Sequence, residues 1–412
     1  MLSYRSDPYS GGQGVYINNL SRALKRLGHH VEVVSGPPYP LLDDGIPIHQ
    51  LPSLDLYNPH LYNSRTLFSL RVPTLKELRN PFNLLECLAG PFTGFSEPLT
   101  FGLRAYWFLR NKFENYDIIH DNQSFSYGLL AIKRHIPTIA TFHHPITVDR
   151  DLDIKSAPTL KEKWKYRHWY KFVTMQKRVS RRFRRIITVS ECAKNDISRD
   201  FGISPDRFRV IPNGINTDVF HPVPGVEKEK NRIIATSSSD TPLKGLRYLL
   251  HAVKLVSKNQ EIKLTVVGNP KKDSEILKLI GELGIGDLVT FTGRIDHQEY
   301  LKQYARSNLA VIPSLYEGFG LPAGEAMACG VPVIATTAGA LPEVVGDAGI
   351  LVPPANAEAL AKAISDLLNN QDKARMLAQA GLKRVLNHFS WEKAAKKTIE
   401  VYWETIHDYN RL

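Results

Sequence analysis

Two glutamates, Glu317 and Glu325, flank a glycine-rich segment in the last third of the chain. Three of the seven residues between them are glycines, and Pro322 suits the first turn of a helix. A helix beginning here would present unpaired backbone N–H groups and a positive dipole end, which bind phosphate. Carboxylates beside a diphosphate would be repelled unless they accepted hydrogen bonds from hydroxyl groups. The pattern therefore predicts a diphosphate site that also binds sugar and ribose hydroxyls.

The elements that would position this segment are parallel strands. Short apolar runs alternate with helical periodicity along the chain, which is typical of parallel sheets covered by helices on both faces. A short first strand is expected at residues 2–4, and the other strands of the first series at 31–34, 118–119, 138–142 and 186–189. The second series is expected at 233–235, 264–267, 289–291, 309–312, 331–334 and 350–352. The strand at 309–312 would lead directly into the glycine-rich segment.

Two domains are expected in this chain. Its 412 residues exceed what one hydrophobic core usually organises, since a domain has roughly 150 residues. Turn residues and alternating charges interrupt the periodicity between residues 212 and 231. We therefore place the first domain at residues 1–215 and the second at 216–390, each an α/β domain with a doubly wound sheet.

The paired glutamates with Gly-Phe-Gly-Leu-Pro between them resemble the motif of the family 4 retaining glycosyltransferases of GT-B fold. Other segments occur in the family's order at residues 11–14, 142–143, 187–190, 210–215, 243–245, 267–268 and 291–293. The resemblance covers nearly the whole chain. It implies two facing Rossmann-like domains with an active-site cleft between them, the nucleotide sugar on the C-terminal domain and the acceptor largely on the N-terminal one. It also implies that a helix at about residues 391–412 crosses back to the first domain.

The resemblance implies a role for each residue of the glycine-rich segment. Glu325 would bind the ribose hydroxyls of the donor, and Glu317 would bind the transferred sugar. The backbone amides of Phe319, Gly320 and Leu321 would hold the diphosphate and the sugar.

Residues outside that segment also match the family. Lys244 would neutralise the diphosphate, and His143 would lie near the transferred sugar. Gly12 and Gly14 would let an N-terminal loop close over the donor phosphates, and Gly268 matches a family glycine of the donor domain. The alternative for Lys244 is a solvated turn lysine, and for His143 a buried structural histidine.

One position departs from the family pattern. The family commonly has an arginine five residues before the phosphate-binding lysine, and this chain has Ser239 there. A bidentate phosphate partner is therefore missing. Arg294, Arg232 or Arg247 would replace it, or Lys244 and the backbone amides would hold the donor. We include Arg294 among the donor-binding residues.

The resemblance implies front-face substitution with retention. A leaving diphosphate oxygen would accept the proton of the acceptor, while Lys244 and the helix terminus stabilise its negative charge. No bound metal or cofactor is expected. The sequence has no Asp-x-Asp in an expected loop, and its fourteen histidines form no cluster with metal-ligand spacing.

Nearly all of the net charge of +12 comes from residues 155–185, which hold twelve Lys or Arg and one Glu. This stretch indicates an anionic partner, either phospholipid head groups or a phosphorylated acceptor. We assign Lys163, Lys165, Arg181 and Arg182 to a membrane or acceptor surface. The alternative is a solvated helix face. Nucleic acid is not expected, because no recognised binding motif accompanies the charge.

The predicted function is transfer of a hexose from a UDP- or GDP-linked sugar to a hydroxyl of a lipid-linked or cell-envelope glycan. The alternatives are a small soluble or phosphorylated acceptor, or a non-catalytic protein of this fold that binds anionic polymers. The polar start of the chain, its three cysteines and the lack of a long apolar run indicate a cytoplasmic protein. Peripheral attachment to the inner face of the membrane is expected.

Overall fold

The structure, a computed structural model, describes residues 1–7, 12–56, 72–236, 241–270 and 274–411. The chain forms two compact units. Unit 1 comprises Met1–Thr188, Lys194–Ile211 and Ala395–Leu412, and unit 2 comprises Val189–Ala193 and Pro212–Ala394. Among the described helices, none is both long enough and apolar enough to cross a membrane.

A parallel sheet of seven described strands forms the centre of unit 1. The strands are β1 (Leu2–Ser3), β2 (Val33–Ser35), β3 (Ile48–Gln50), β4 (Ile119–Asn122), β5 (Thr138–Phe142), β6 (Ile186–Thr188) and β7 (Phe208–Val210). Their order across the sheet is β3-β2-β1-β4-β5-β6-β7.

Unit 2 contains a second parallel sheet, with six described strands. They are β8 (Arg232–Thr236), β9 (Lys263–Val267), β10 (Val289–Phe291), β11 (Leu309–Ile312), β12 (Val333–Thr336) and β13 (Ile350–Val352). Their order is β10-β9-β8-β11-β12-β13.

Helices connect the strands, as parallel pairing requires. In chain order they are α1 (Gly12–Arg26), α2 (Leu75–Leu78), α3 (Pro81–Thr93), α4 (Glu97–Leu109), α5 (Tyr127–Ile132), α6 (Ile146–Ser156), α7 (Leu160–Trp169), α8 (Val173–Ser180), α9 (Glu191–Phe201), α10 (Leu246–Val256), α11 (Glu275–Leu283), α12 (His297–Ala305), α13 (Leu321–Ala328), α14 (Leu341–Val345), α15 (Ala357–Leu368), α16 (Gln371–His388) and α17 (Trp391–Asn410). Together with the strands they form two doubly wound α/β units.

Both faces of the second sheet are buried, which explains why its strands are mostly apolar. Successive side chains of a strand point to opposite faces. Ile233 packs in one hydrophobic cluster with Leu249 of α10, and the next residue, Ile234, packs in another with Met327 of α13. An alternating apolar and polar pattern would leave one of these helix layers without an apolar surface to cover.

The predicted fold class, two Rossmann-like α/β domains with doubly wound sheets, is confirmed by these two sheets. The sequence patterns missed β3 and β7, which have three residues each at the two edges of the first sheet. Edge strands this short carry too few residues to show a period.

Residues 212–215 and the helix α17 show where the chain passes from one unit to the other. We placed the domain boundary after residue 215, whereas residues 212–215 are part of unit 2. The Ile215 N–H donates to the Phe389 carbonyl at 2.9 Å, which ties this segment to the end of α16. Residues of α17 from Ala395 onward are part of unit 1. There the Tyr402 hydroxyl lies 2.6 Å from His120 Nδ1.

Candidate functional site

Each sheet has one point at which its strand order reverses. In unit 1 this point lies between β1 and β4, and in unit 2 between β8 and β11. In doubly wound sheets ligands bind outside the carboxyl ends of the strands at such a point. The residues that follow β1, β4, β8 and β11 are therefore the first candidates for a site in each unit.

In unit 2 the turns after β8 and β11 are joined to each other. Gly245 has a φ of +65°, and a Cβ there would lie 2.0 Å from the Pro313 carbonyl oxygen. The Leu315 N–H donates to the Leu243 carbonyl at 2.7 Å. Because of this close approach, Lys244 Nζ reaches Glu317 Oε1 at 2.8 Å. The structure thus brings together two predicted site residues that are far apart in sequence.

Neighbouring loops hold Glu317 in place. The Ser314 hydroxyl donates to Glu317 Oε1 at 2.7 Å, and the Ala340 N–H donates to the Glu317 carbonyl at 2.8 Å. A Cβ at Gly339 would lie 2.2 Å from that carbonyl oxygen. The Glu317 side chain keeps 11% of its surface exposed, so it is oriented while still accessible to a ligand.

The residues before α13 form a rigid turn at the start of a helix. Gly320 has a φ of +102°, in the left-handed region, and is the N-cap residue of α13, which begins at Leu321. Phe319 is buried against the Phe389 ring at a centroid distance of 5.6 Å. The Ser190 hydroxyl donates to the Gly318 carbonyl at 2.7 Å. Pro322 has no N–H, and the Ala323 and Gly324 N–H groups donate to the Gly320 carbonyl at 3.0 and 3.4 Å. An anion at this helix start would therefore be bound by the N–H groups of Phe319, Gly320 and Leu321.

Glu325 lies on α13 beside two tyrosines. The Tyr300 hydroxyl is 3.3 Å from Glu325 Oε2 and 3.2 Å from the Tyr304 hydroxyl. Burial raises the pKa of Glu325 to about 7, although the Tyr300 hydrogen bond lowers it. A ligand that donates hydroxyl groups to this carboxylate would stabilise its ionised form.

Two further predicted donor residues, Gly268 and Arg294, lie away from the reversal point of unit 2. Gly268 follows β9 with a φ of +145° and forms an isolated bridge with Gly293. Arg294 is exposed and follows β10, the edge strand next to β9. Its position is at the carboxyl edge of the sheet, two strands from β8.

Arg232 is not the replacement for the missing arginine. It lies at the amino end of β8, 7% exposed, with Nη1 in an ion pair with Glu229 and Nε donating to Thr265 Oγ1 at 2.9 Å. These contacts hold its guanidinium at the edge of the sheet opposite to the Lys244 turn. Arg247 is exposed in the first turn of α10. Ser239 lies outside the described residues.

In unit 1 the predicted residue His143 follows β5 and contacts the loop after β4. His143 Nε2 lies 2.6 Å from Asn122 Oδ1, and the His143 N–H donates to Gln123 Oε1 at 2.6 Å. The ring packs edge-on against Tyr16, with centroids 4.6 Å apart. Burial lowers the pKa of His143 to about 3, with a smaller contribution from His144. His143 is therefore a neutral imidazole at physiological pH.

The hydrogen bonds of Asn122 determine which nitrogen of His143 is protonated. Asn122 Nδ2 donates to the Gln13 carbonyl, which can only accept, at 3.4 Å. Asn122 Oδ1 must then face His143 and accept a hydrogen bond from it. The proton of the neutral ring is therefore on Nε2, and Nδ1 carries the lone pair.

A buried polar network extends from this site to α17. The Thr141 hydroxyl lies 2.9 Å from the Tyr16 hydroxyl and 2.7 Å from His120 Nε2. The other nitrogen of His120 contacts Tyr402 of α17. Burial lowers the pKa of His120 to about 3. Every link in this network is neutral, which is the form of a polar group that burial favours.

Gly12 and Gly14 are not in the loop predicted for them. Both lie in the first turn of α1. A Cβ at Gly14 would lie 2.3 Å from the Asp7 carbonyl oxygen, so glycine allows the helix to begin against the segment that leaves β1. Gly11, the first residue of the predicted glycine loop, is outside the described residues.

The basic stretch of residues 155–185 has two different surroundings. Lys163 and Lys165 are half-buried on α7, whose His168 Nε2 contacts the Gly90 carbonyl of α3 at 3.2 Å. Arg181 and Arg182 follow α8, are exposed, and line a groove with arginines that flank β7. Within the described residues, no group of three or more His, Cys, Asp or Glu side chains could hold a metal ion.

Several site residues were missed by sequence reasoning, namely Asn122, Gln123, Ser314, Tyr300 and Gly339. For Asn122 and Gln123 the sequence does contain a signal. Five consecutive polar residues, 120–124, begin within β4 and continue past its end, and all of them are buried. Buried polar side chains must find hydrogen-bond partners, so a polar run of this kind in a buried strand indicates a polar cluster.

The two Rossmann-like sheets and the paired glutamates at the reversal point of the second sheet define a glycosyltransferase of GT-B fold. Residues 10–219 match the family described as Glycosyltransferase Family 4, and residues 220–384 match Glycosyl transferases group 1. The chain belongs to glycosyltransferase family 4.

Similar proteins include a curated relative and two solved structures. The chain is 43% identical over 411 residues to the MMP alpha-(1->4)-mannosyltransferase of Mycolicibacterium hassiacum, with 98% of each chain covered. The solved structure of sucrose-phosphate synthase from Thermosynechococcus elongatus matches with 25% identity, a TM-score of 0.73 and 99% of each chain covered. Anabaena HepE in complex with UDP and glucose matches with 18% identity, a TM-score of 0.65 and coverage of 97% of this chain and 98% of HepE. The HepE match shows the shared fold.

Proposed function

We propose that this protein is a retaining mannosyltransferase that moves an α-mannosyl group from nucleotide-activated mannose to a sugar 4-hydroxyl. The Lys244–Glu317 ion pair beside the N-terminus of α13 carries this proposal. The mannosyl group and the linkage are taken from the name of the relative that is 43% identical. That name does not identify the nucleotide, so the donor is UDP- or GDP-linked, as predicted from the sequence.

The donor diphosphate would bind between Lys244 and the first turn of α13. Its negative charge would replace that of Glu317 as the partner of Lys244, since an ammonium group interacts strongly with a diphosphate. Glu317 would then be free to accept hydrogen bonds from the mannosyl hydroxyls. Phe319, Gly320 and Leu321 would supply backbone N–H groups, and Glu325 would accept from the ribose.

The proposed mechanism is front-face substitution without a metal ion. As the bond from the mannosyl carbon to the diphosphate oxygen breaks, that oxygen accepts the proton of the attacking hydroxyl. Lys244 and the dipole of α13 stabilise the negative charge that develops on the diphosphate. His143 would remain neutral and offer its lone pair on Nδ1 to a sugar hydroxyl.

The transfer assay uses the purified protein with GDP-mannose, UDP-glucose or ADP-glucose and a mannoside acceptor, with the anomeric protons followed by NMR. We expect an α-linked product from a mannose donor, with unchanged activity in EDTA. Lys244→Gln should remove transfer, and Lys258→Gln, which changes an exposed lysine of the same unit, should not. A β-linked product, or activity that requires added Mn²⁺, would overturn the proposed mechanism.

For the acceptor we propose a glycan presented at a membrane surface on the cytoplasmic side. The support is a set of exposed apolar residues on α3 and α7, two helices in contact, with lysines on α7. On α3, Leu88 and Phe92 are exposed one turn apart, Phe92 at 79%. On α7, Trp164 is 65% exposed and stacks on His168, which contacts α3. Lys163 and Lys165 lie on the same helix, and aromatic residues with lysines are typical of surfaces that bind anionic bilayers.

Co-sedimentation with phosphatidylglycerol vesicles tests this acceptor surface. Phe92→Ser with Trp164→Ser should reduce binding, while the control Met376→Ser with Leu386→Ser, two exposed apolar residues of unit 2, should leave it unchanged. Equal binding by the two double variants would favour a small soluble or phosphorylated acceptor. Transfer by these variants to a soluble mannoside should stay normal, which separates this test from that of the reaction.

A further inference from the structure

A groove of about 540 Å³ lies in unit 1 and includes Arg181 and Arg182, which we assigned from the sequence to a membrane or acceptor surface. Six arginines line it, Arg181, Arg182, Arg184, Arg185, Arg207 and Arg209, together with Asp206. We refer to it as the arginine groove. Arg185 immediately precedes β6, and Arg207 immediately precedes β7. The arginine groove is therefore at the amino edge of the sheet, opposite to the carboxyl edge that carries His143.

Three of the six arginines are paired with carboxylates of α17. Arg185 Nε lies 2.6 Å from Glu404 Oε2, and Arg209 Nη2 lies 3.1 Å from the same oxygen. Asp408 forms ion pairs with Arg185 and, at 3.4 Å, with Arg184. These contacts attach α17 to the sheet, so the charge of these three arginines is compensated by the protein itself.

The other three arginines are compensated less, because Asp206, which lines the groove next to Arg207, interacts with Arg207 without forming an ion pair. Among the described residues, no carboxylate lies within ion-pair distance of Arg181, Arg182 or Arg207. Arg181 Nε donates to the Phe201 carbonyl at 2.6 Å, and Arg207 Nη1 donates to the Arg181 carbonyl at 3.0 Å. Neutral backbone carbonyls thus orient two guanidinium groups without neutralising them.

Like charges held in one groove repel each other, and an anion between them would offset this repulsion. Oriented guanidinium groups present pairs of N–H donors that match phosphate oxygens. The arginine groove is larger than one phosphate needs and falls in the size range of small-molecule sites. A ligand with a phosphate attached to a larger group, or with two phosphates, would fill it better than a single ion.

We propose that the arginine groove binds phosphate groups through Arg181, Arg182 and Arg207, at a site separate from the donor site. This inference does not depend on the proposed mannosyl transfer. The phosphate can belong to a soluble molecule or to a lipid head group, since both offer the same oxygens to the guanidinium groups.

Isothermal titration with pyrophosphate tests the site. The Lys244→Gln variant serves as the starting protein, because it weakens pyrophosphate binding at the donor site in unit 2. We expect it to bind pyrophosphate with a Kd below about 1 mM, and to bind at least tenfold more weakly after addition of Arg182→Gln and Arg207→Gln. The charge-matched control adds Lys373→Gln and Lys383→Gln, two exposed lysines of unit 2, and should keep the affinity.

The proposal would be overturned if the Lys244→Gln variant did not bind pyrophosphate. It would also be overturned if the arginine and the lysine substitutions lowered the affinity for pyrophosphate equally. Since Arg207 also contacts the Arg181 carbonyl, Arg182→Gln alone is the second variant. Its side chain is exposed, so it should keep the wild-type Tm while lowering the affinity.

Vesicles distinguish the two sources of phosphate. If lipid head groups occupy the arginine groove, Arg182→Gln with Arg207→Gln will reduce sedimentation with phosphatidylglycerol vesicles more than the lysine control does. If the ligand is soluble, the two variants will sediment equally and only the pyrophosphate titration will separate them.

Discussion

The carboxyl edges of the two sheets are built from opposite chemistry. In unit 1, the side chains that contact His143 are the uncharged Asn122, Gln123 and Tyr16, while Asp121, whose pKa burial raises to about 6, precedes Asn122 in β4. In unit 2, the corresponding edge has the Lys244–Glu317 ion pair and the open N-terminus of α13. A neutral, oriented site suits uncharged hydroxyls, whereas a site with an exchangeable ion pair suits a charged ligand. This difference supports the proposal that the diphosphate binds in unit 2, whereas His143 of unit 1 would contact a sugar hydroxyl.

The same comparison extends to protonation. Burial favours the uncharged form of both His143 and Glu325, but it lowers the pKa of the histidine to about 3 and raises that of the carboxyl group to about 7. Unit 1 should therefore lose stability as pH falls, and unit 2 should lose stability as pH rises.

Glu317→Gln should lower kcat by about 10²- to 10³-fold with little change in the KM for the donor. Its carboxylate would act on the reacting sugar, and loss of one electrostatic contact to a transition state commonly has this size. Steady-state kinetics with a mannose donor measure it. A kcat within twofold of the wild-type value would place the reaction away from this ion pair.

Asn122→Ala should lower kcat/KM by about 10- to 100-fold, because His143 loses the acceptor that fixes its Nε2 proton. Asn122→Asp separates positioning from a general loss of structure. A carboxylate beside the ring favours imidazolium and raises the pKa of His143, so its activity should fall towards acid pH more steeply than that of the wild type. Parallel pH profiles for Asn122→Asp and the wild type would show that Asn122 does not act through His143.

Glu325→Gln should weaken donor binding by about tenfold and leave kcat nearly unchanged, because an amide accepts hydroxyl hydrogen bonds less strongly than a carboxylate. Wild-type affinity for the donor should rise with pH as Glu325 ionises near pH 7. Titration of a nucleoside diphosphate at pH 6 and pH 8 measures this. If the wild type bound the nucleotide equally well at pH 6 and pH 8, Glu325 would not be the residue that binds the ribose.

Stability profiles at pH 5 and pH 8 give effects of about 2–3 kcal/mol. The folded-state pKa of Glu325 is raised, so its contribution is present below pH 4.5 and is lost as pH rises to about 7. The folded-state pKa of His143 is lowered, so its contribution is present above pH 6.5 and is lost as pH falls towards 3. Relative to wild type, Glu325→Gln should gain stability at pH 8, and His143→Gln should gain it at pH 5. Urea unfolding at both pH values checks the opposite signs.

The sequence predicted the carboxyl edge of the sheet in unit 2 better than that of the sheet in unit 1. The segment from Glu317 to Glu325 is local, since its glycines, the helix start and the two carboxylates lie within nine residues. The contact of Lys244 with Glu317 depends on the close approach of Gly245 to Pro313, which no local pattern contains.

The edge of unit 1 was largely missed because its contacts join neighbouring strands. Asn122 and Gln123 reach His143 only when β4 and β5 pair in their observed register. The prediction that Gly12 and Gly14 lie in a loop was wrong. A glycine pattern does not distinguish a loop from a helix start that passes close to another segment. The basic stretch 155–185 reads as one feature in sequence, whereas α7 and the residues after α8 have different neighbours.

The central claim, that a diphosphate replaces Glu317 as the partner of Lys244, is tested most directly by titrating GDP and UDP into three proteins. Lys244→Gln should bind the preferred nucleotide at least tenfold more weakly than the wild type. Glu317→Gln should bind it as tightly as the wild type or more tightly, because the competing carboxylate is gone. Weakening of nucleotide binding by Glu317→Gln to the level of Lys244→Gln would contradict the exchange.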